Sequence, residues 1–230
     1  MDESRMRFEE GIAAVKRLWT EAEVRFEGSF HQFGPLPLLP RPVQQPHPPI
    51  WIAAISTEES FGYAARNGFN LMIVPYAGPP GRLQELVRMY RTLWAQSGHT
   101  PGAEHIQVAQ FGYLAEDRAE ARRGFERICT RYLETFADAL QSWKGHAESA
   151  YPGYHKMVAS ILAATPDTIL AQGGAFVGSP DEVVEQVQAC VKLFDGPIEP
   201  SMQINFGGTK DAEAFRTLEL LAAKVLPRFR

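Results

Sequence analysis

Two spacings of apolar residues alternate along the chain, and they predict helices and strands in turn. Residues 8–19 repeat apolar side chains at the helical period, so the chain opens with a helix. Short and almost wholly apolar runs at residues 50–55 and 71–74 are typical of strands buried on both faces of a parallel sheet. A helical pattern follows each run, which predicts a repeated strand-helix unit.

The same unit recurs in the second half of the chain. A third strand is predicted at residues 106–114 and a fourth at 202–206, with helical spacing between them at 157–170 and again after the box Ser-Pro-Asp-Glu at 179–182. Short strands that alternate with amphipathic helices predict an α/β fold with a parallel sheet. A closed barrel of this type has eight strands in about 250 residues. Four strands therefore predict a partial (β/α)8 TIM barrel that lacks the N-terminal strands.

Two segments interrupt the pattern. Residues 34–49 include seven prolines and follow a short extended piece at 24–33, so we expect a connector without regular helix or central strand. Residues 142–156 are rich in Gly, Ser, Tyr and His without a period, which predicts a mobile insertion. We expect the whole chain, residues 1–230, to form a single domain.

Composition narrows the class of function. The formal net charge of −4, with Lys and Arg scattered, argues against a nucleic-acid partner. Cys129 and Cys190 lie in helical patterns without the spacing of a disulfide framework or zinc site, and no other cluster has metal-ligand spacing. No signal peptide or membrane span is evident, so we expect a cytoplasmic protein. The motifs of serine hydrolases, P-loop NTPases and Rossmann enzymes are missing.

Three stretches resemble the bacterial luciferase-like flavin-dependent monooxygenase family. They are RFEEG at 7–11 with LWT at 18–20, LPRPVQQPHPPIW at 39–51, and VGSPDEV at 177–183 with NFGG at 205–208. The resemblance covers essentially the whole chain, and its middle stretch is the most specific part.

The resemblance implies a fold, a cofactor and a numbering of the strands. Members of the family are (β/α)8 barrels that use reduced FMN, or in one branch a deazaflavin, at the carboxyl ends of the strands. By this likeness, the runs at 50–55, 71–74, 106–114 and 202–206 match the fifth to eighth barrel strands, and Met1 falls just after the fourth. The family's usual catalytic positions lie in the first four strands, so no catalytic residue is assigned.

Candidate cofactor contacts follow the first apolar run. Ser56-Thr57-Glu58-Glu59 has the form of a capping box, which predicts that Ser56 is the N-cap of the next helix. The resemblance implies instead, or in addition, that Ser56 contacts the flavin phosphate, with Thr57 and Ser60 nearby. A helix N-terminus favours a phosphate for physical reasons of its own, because its free N–H groups and dipole attract anions.

Three further residues are candidates for the flavin or substrate pocket. Tyr76 and Asn205 come at or just after predicted strand ends, which is the face where barrel enzymes place their sites. The alternatives are that Tyr76 packs under a loop and that Asn205 pairs with a turn. His155 lies in the stretch that resembles the family's mobile active-site loop, where it either shuttles protons or is simply solvated.

The expected function is that of a flavin-dependent oxidoreductase, specifically a monooxygenase that uses reduced FMN and O₂ on a small organic substrate. A flavin reductase is an expected partner. Because a partial barrel exposes strand edges and an open core, we also expect a homo-oligomer or a complementing half-barrel. The alternative is a non-catalytic relative that binds flavin or a partner without turnover.

Overall fold

The computed structural model describes residues 3–76, 81–141 and 154–229. Two compact units are present: residues 3–50 form the first, and residues 51–76, 81–141 and 155–229 form the second. None of the helices in these ranges is long and apolar enough to cross a membrane. The single-domain organisation stays a prediction, and residues 142–153 of the predicted insertion lie outside the described ranges.

The elements follow one another along the chain as helices and strands. The helices are α1 (Ser4–Thr20), α2 (Glu58–Arg66), α3 (Arg82–Gln96), α4 (Arg118–Gln141), α5 (Tyr154–Leu162), α6 (Pro166–Ala171), α7 (Pro180–Lys192) and α8 (Asp211–Leu220). A π-helical turn (Leu221–Val225) and a 3-10 turn (Leu226–Phe229) follow α8. The strands are β1 (Val24–Glu27), β2 (Gln32–Leu36), β3 (Trp51–Ala54), β4 (Asn70–Ile73), β5 (Ile106–Leu114), β6 (Ala175–Gly178) and β7 (Glu199–Gln203).

The first unit packs α1 against an antiparallel hairpin of β1 and β2. A small core of Ala14, Val24 and Phe26 joins them. Glu10 of α1 fixes the hairpin turn, because its carboxylate accepts hydrogen bonds from the backbone N–H groups of residues 29, 30 and 31 at 2.7, 2.9 and 2.6 Å. His31 Nδ1 lies 3.0 Å from the same carboxylate.

These contacts make the hairpin sensitive to acid. Desolvation opposes the ionisation of Glu10, but the backbone donors and the His31 ring outweigh it and hold the pKa of Glu10 below its usual value. A group whose pKa is lowered on folding stabilises the protein above its unfolded-state pKa. That contribution is lost as the pH falls through the folded-state pKa.

We therefore expect Glu10→Gln to lower the Tm near neutral pH, since the amide offers only one acceptor oxygen. The difference from the wild type should shrink as the pH falls, because the wild-type carboxyl is then protonated too. Thermal unfolding of both proteins between about pH 7 and pH 3 measures this, across the range where carboxylates titrate. Glu23→Gln, at an exposed position, is the control. A Tm difference that does not change with pH would contradict this role of Glu10.

The second unit is built on a parallel sheet with the strand order β3-β4-β5-β6, in which β7 also pairs with β5. Ala53 lies opposite Met72, which lies opposite Gln107, and Gln107 lies opposite Glu199. The long strand β5 pairs with β4 and β7 through its first part and with β6 through its last four residues. No pairing among the described strands closes this sheet into a barrel.

Helices bury their apolar faces on this sheet. Helix α2 packs on β3, β4 and α3, while α4 and α8 pack on β5, and α7 packs on β6. Strand β6 is bounded on its other side by a side chain, because Gln186 of α7 accepts from the Val177 N–H at 2.9 Å and donates to the Val177 carbonyl at 2.8 Å. The predicted α/β fold with a parallel sheet is confirmed.

Three elements of the second unit differ from the prediction. Strand β6 was not predicted, because four residues after Gly173-Gly174 are too short to show a period. The fourth predicted strand, 202–206, lies three residues earlier, because the chain pairs with β5 from Glu199 and Phe206 leaves the sheet to stack on Phe111. The helix predicted at 157–170 is two helices, because Thr165 caps α6 and Pro166 stands at its first position.

Candidate functional site

The turn between β3 and α2 places three hydroxyl groups at the carboxyl edge of the sheet. Ser56, Thr57 and Ser60 are all partly buried there, and the Thr57 hydroxyl donates to Ser60 Oγ at 2.8 Å. Ser56 makes no hydrogen bond to other residues of the described ranges. The structure thus brings together the three residues predicted to contact a flavin phosphate.

Helix α2 begins one residue later than predicted. Its N-cap is Thr57, in an extended conformation, and not Ser56, so the prediction that Ser56 caps the helix is wrong. The helix starts at Glu58, and its buried residues include Phe61, Ala64 and Ala65. Among the residues that the structure describes, no side chain accepts a hydrogen bond from the first-turn amides of α2. Those N–H groups are therefore available as donors beside the hydroxyls.

The charges at this helix end are mixed. Glu58 and Glu59 occupy the first turn, where they complement the helix dipole but disfavour a second anion. Arg82, the first residue of α3, offsets part of this charge because its guanidinium donates to Glu58 at 2.6 Å and to Glu85 at 3.3 Å. These bonds raise the pKa of Arg82. The sequence analysis did not identify Arg82, although its position in the segment after β4, at the same edge of the sheet, could have indicated it.

Tyr76 lies beyond the end of β4 and packs into an aromatic cluster. Its ring stacks on Phe111 at 5.2 Å between centroids, and Phe111 meets Tyr132 at 5.0 Å. A Cβ on Gly174 would lie 2.7 Å from Tyr76, so the backbone closes over the ring. Burial, together with the neighbouring Tyr132, raises the pKa of Tyr76 well above its usual value. The phenol is therefore neutral and largely enclosed.

Asn205 reaches the same edge from β7. It is exposed, two residues past the strand end, and it makes no hydrogen bond to other described residues. The next residue, Phe206, stacks on Phe111 at 4.4 Å between centroids. Thr209, not Asn205, holds the turn, because the Thr209 hydroxyl donates to the Phe206 carbonyl at 2.5 Å. Tyr76 and the segment of Asn205 are thus joined through Phe111.

The remaining candidates contribute less. His155 belongs to helix α5, which begins at Tyr154 where the sequence predicted an irregular loop; its side chain is outside what the structure describes. Cys129 and Cys190 are buried free thiols, and burial raises the pKa of Cys129 to about 11. Neither thiol is an activated nucleophile. No three metal-ligand side chains cluster within the described ranges.

This arrangement is that of a parallel β/α enzyme fold with donor groups along its carboxyl edge. Ser56, Tyr76 and Asn205 follow three different parallel strands, so they share one edge of the sheet. Hydroxyls and free amides at an uncapped helix N-terminus are the donor set that a phosphate group prefers. The residues present therefore fit a phosphate-bearing cofactor.

The chain belongs to the luciferase-like monooxygenase family, whose sequence model matches residues 1–195. It is similar to the oxygenase component of the flavin-dependent trigonelline monooxygenase of Acinetobacter baylyi, with 24% identity over 228 residues, which is 97% of this chain and 60% of that protein.

Solved structures agree with this assignment. The monooxygenase RslO1 from Streptomyces bottropensis is 35% identical, with a TM-score of 0.78 over 100% of this chain and 63% of that one. The oxygenating constituent of 3,6-diketocamphane monooxygenase from Pseudomonas putida, solved in complex with FMN, shares the fold at 18% identity, with a TM-score of 0.70 over 96% of this chain and 62% of that one. The chain spans about three-fifths of the length of these relatives.

Proposed function

We propose that this chain acts as a flavin-dependent monooxygenase on a small organic substrate, with reduced FMN bound at the N-terminus of α2. The observation that carries the proposal is the uncapped first turn of α2, with Ser56, Thr57 and Ser60 beside it. When bound, reduced FMN would supply the electrons that activate O₂. A cytoplasmic location and a separate flavin reductase are parts of the same proposal.

The residues have distinct parts in this proposal. The three hydroxyls and the first-turn amides of α2 hold the cofactor phosphate, and Arg82 reduces the repulsion from Glu58. Tyr76, Asn205 and His155 line the flavin or substrate pocket, and the partly buried Tyr76 ring, stacked on Phe111, limits the access of water on one side. No residue is assigned to the chemical step. A deazaflavin in place of FMN remains the second cofactor to test.

Titration with FMN and with riboflavin tests the phosphate site. Each of Ser56→Ala, Thr57→Val and Ser60→Ala should weaken FMN binding by about 1 kcal/mol, roughly fivefold in Kd, if the hydroxyl bonds to the phosphate. Riboflavin lacks the phosphate, so its affinity should not change. Ser97→Ala, at the exposed end of α3, is the matched control variant. Equal affinities for FMN and riboflavin in the wild type would contradict the site.

Oxygen consumption distinguishes the enzyme from a non-catalytic relative. The chain is supplied with FMN, NADH and a flavin reductase, and O₂ uptake above that of the reductase alone supports the monooxygenase. FMN binding without any such turnover supports the non-catalytic alternative. The observation in favour of that alternative is that the described strands do not close into a barrel. Failure to bind either FMN or a deazaflavin rejects both.

We further propose that the open sheet is covered by a second copy of the chain or by a complementing half-barrel. Parallel sheets are normally covered on both faces, yet Ile55 and Met72 are 40% and 39% exposed. Strand β3 ends the strand order and has neither Pro nor charge to protect its edge. Light scattering measures the molar mass of the chain alone and after addition of the segment of RslO1 that this chain does not match. A 25.7-kDa monomer that does not bind the added segment would contradict both the homo-oligomer and the complementing half-barrel.

A further inference from the structure

A second concave site lies between α3 and α7, on elements that do not carry Ser56, Thr57 or Ser60. It is a cavity of about 690 Å³, within the size range of small-molecule sites. Its wall is largely apolar and comes from α3, β5, α4, α6, β6 and α7. The apolar side chains include Leu83, Val108, Phe176, Leu193 and Phe194.

Hydrogen bonds connect α3 to the segment that follows α7. Arg88 Nε donates to Asp195 Oδ2 at 2.9 Å, and Arg91 Nη2 donates to the Pro197 carbonyl at 2.6 Å. These bonds tie the second half of α3 to the loop after α7. Leu83 and Gln84, in the first turn of α3, line the cavity. The cavity therefore lies beside the first half of α3, which these bonds do not involve.

Two buried acceptors have no hydrogen-bond donor within the described residues, and one of them lines this cavity. Gln84 Oε1, in the wall, is one of them. The other is Oε1 of the fully buried Gln110, whose amide nitrogen donates to Cys190 Sγ at 3.0 Å. Cys190 itself lines the cavity. Buried acceptors are nearly always paired in native proteins, so a bound molecule that donates a hydrogen bond would satisfy a group that is otherwise unpaired.

The charged residues of the wall are already neutralised. Arg118 pairs with Glu182 at 3.0 Å, and Arg122 pairs with Glu126 at 2.5 Å and also with Asp167. The cavity therefore offers no unpaired charge among the described residues to hold an ion. An uncharged occupant is favoured, because it would not have to break these ion pairs.

We propose that this cavity binds a neutral, largely apolar small molecule that donates an N–H or O–H hydrogen bond to Gln84 Oε1. The apolar wall accommodates the body of the molecule, and Gln84 fixes its orientation. None of the lining residues belongs to the turn between β3 and α2 that is proposed to hold the flavin phosphate.

A pair of probes that differ in one donor tests the proposal. Fluorescence or calorimetric titration compares 2-naphthol, which has an O–H, with 2-methylnaphthalene, which has similar shape and no donor. We expect 2-naphthol to bind about tenfold more tightly, as a satisfied buried acceptor implies. Gln84→Leu should abolish this preference while leaving the affinity for 2-methylnaphthalene unchanged.

Three controls separate the outcomes. Gln84→Leu should not lower the Tm, because it removes an unpaired acceptor, so lost binding cannot be ascribed to unfolding. Gln188→Leu, on an exposed position of α7 outside the cavity, should bind both probes as the wild type does. Ala189→Phe, which fills the cavity, should weaken both probes. Equal affinity for the two probes, an unaltered preference in Gln84→Leu, or no saturable binding would each overturn the proposal.

Discussion

Replacing Phe111 by alanine should lower the free energy of unfolding by about 3–5 kcal/mol, the range found for truncating a large buried aromatic side chain. Phe111 is 1% exposed, and its ring contacts those of Tyr76, Tyr132 and Phe206 at 5.2, 5.0 and 4.4 Å between centroids. The substitution removes all three ring pairs and leaves a cavity between segments that follow two different strands.

Chemical denaturation followed by circular dichroism measures this change. Phe215→Ala is the matched control, because Phe215 is 63% exposed and its loss should change stability by no more than about 0.5 kcal/mol. Part of the expected loss of stability comes from Tyr76 and Phe206, because both rings stack on Phe111 and would lose that contact. A loss below about 1.5 kcal/mol for Phe111→Ala would mean that the site collapses around the smaller residue, contrary to the packing described above.

Replacing Arg91 by alanine should cost about 3–5 kcal/mol, because it leaves a buried carboxylate without its partner. The side chains of Arg91 and Glu104 are 16% and 5% exposed, with Arg91 Nε 3.1 Å from Glu104 Oε1. The same guanidinium donates to the carbonyls of Asp195 and Pro197. Its loss therefore also releases the loop that leads into β7.

A neighbouring arginine supplies the control for this experiment. Arg88 binds the Asp195 side chain at 2.9 Å, but both side chains are more than half exposed, so Arg88→Ala should cost less than about 1 kcal/mol. Combining Arg91→Met with Glu104→Leu should recover part of the loss, because replacing both partners leaves no unpaired charge. Similar costs for Arg88→Ala and Arg91→Ala would show that burial of the pair is not what matters.

The parts of the fold that sequence predicted well depend on local signals. Strand β5 was predicted at its observed bounds, because its residues 106–114 are rich in apolar and β-forming side chains, which is a local signal. Helix α7 begins where the Ser179 capping box placed it, since the hydroxyl, Pro180 and Glu182 act within one turn. These elements are determined by residues that are neighbours in sequence.

The parts that sequence missed depend on contacts between distant residues. Two adjacent hydroxyl residues do not reveal which of them, Ser56 or Thr57, is the N-cap of α2. The approach of Arg82 to Glu58 spans 24 positions, and the stacking of Phe206 on Phe111 joins β7 to β5. The three hydroxyls were found from a resemblance, but the charge balance around them required the structure.

The bond pattern between Gln186 and Val177 has a consequence for how this sheet can grow. A side-chain amide carries the same donor and acceptor as one peptide unit, so Gln186 acts as a single-residue pseudo-strand on the outer side of β6. An incoming chain cannot extend the sheet there without first displacing it. On β7, Pro200 lacks an N–H to offer, whereas β3 has no such block. Among the described strands of the second unit, β3 is therefore the edge strand that carries neither of these blocks.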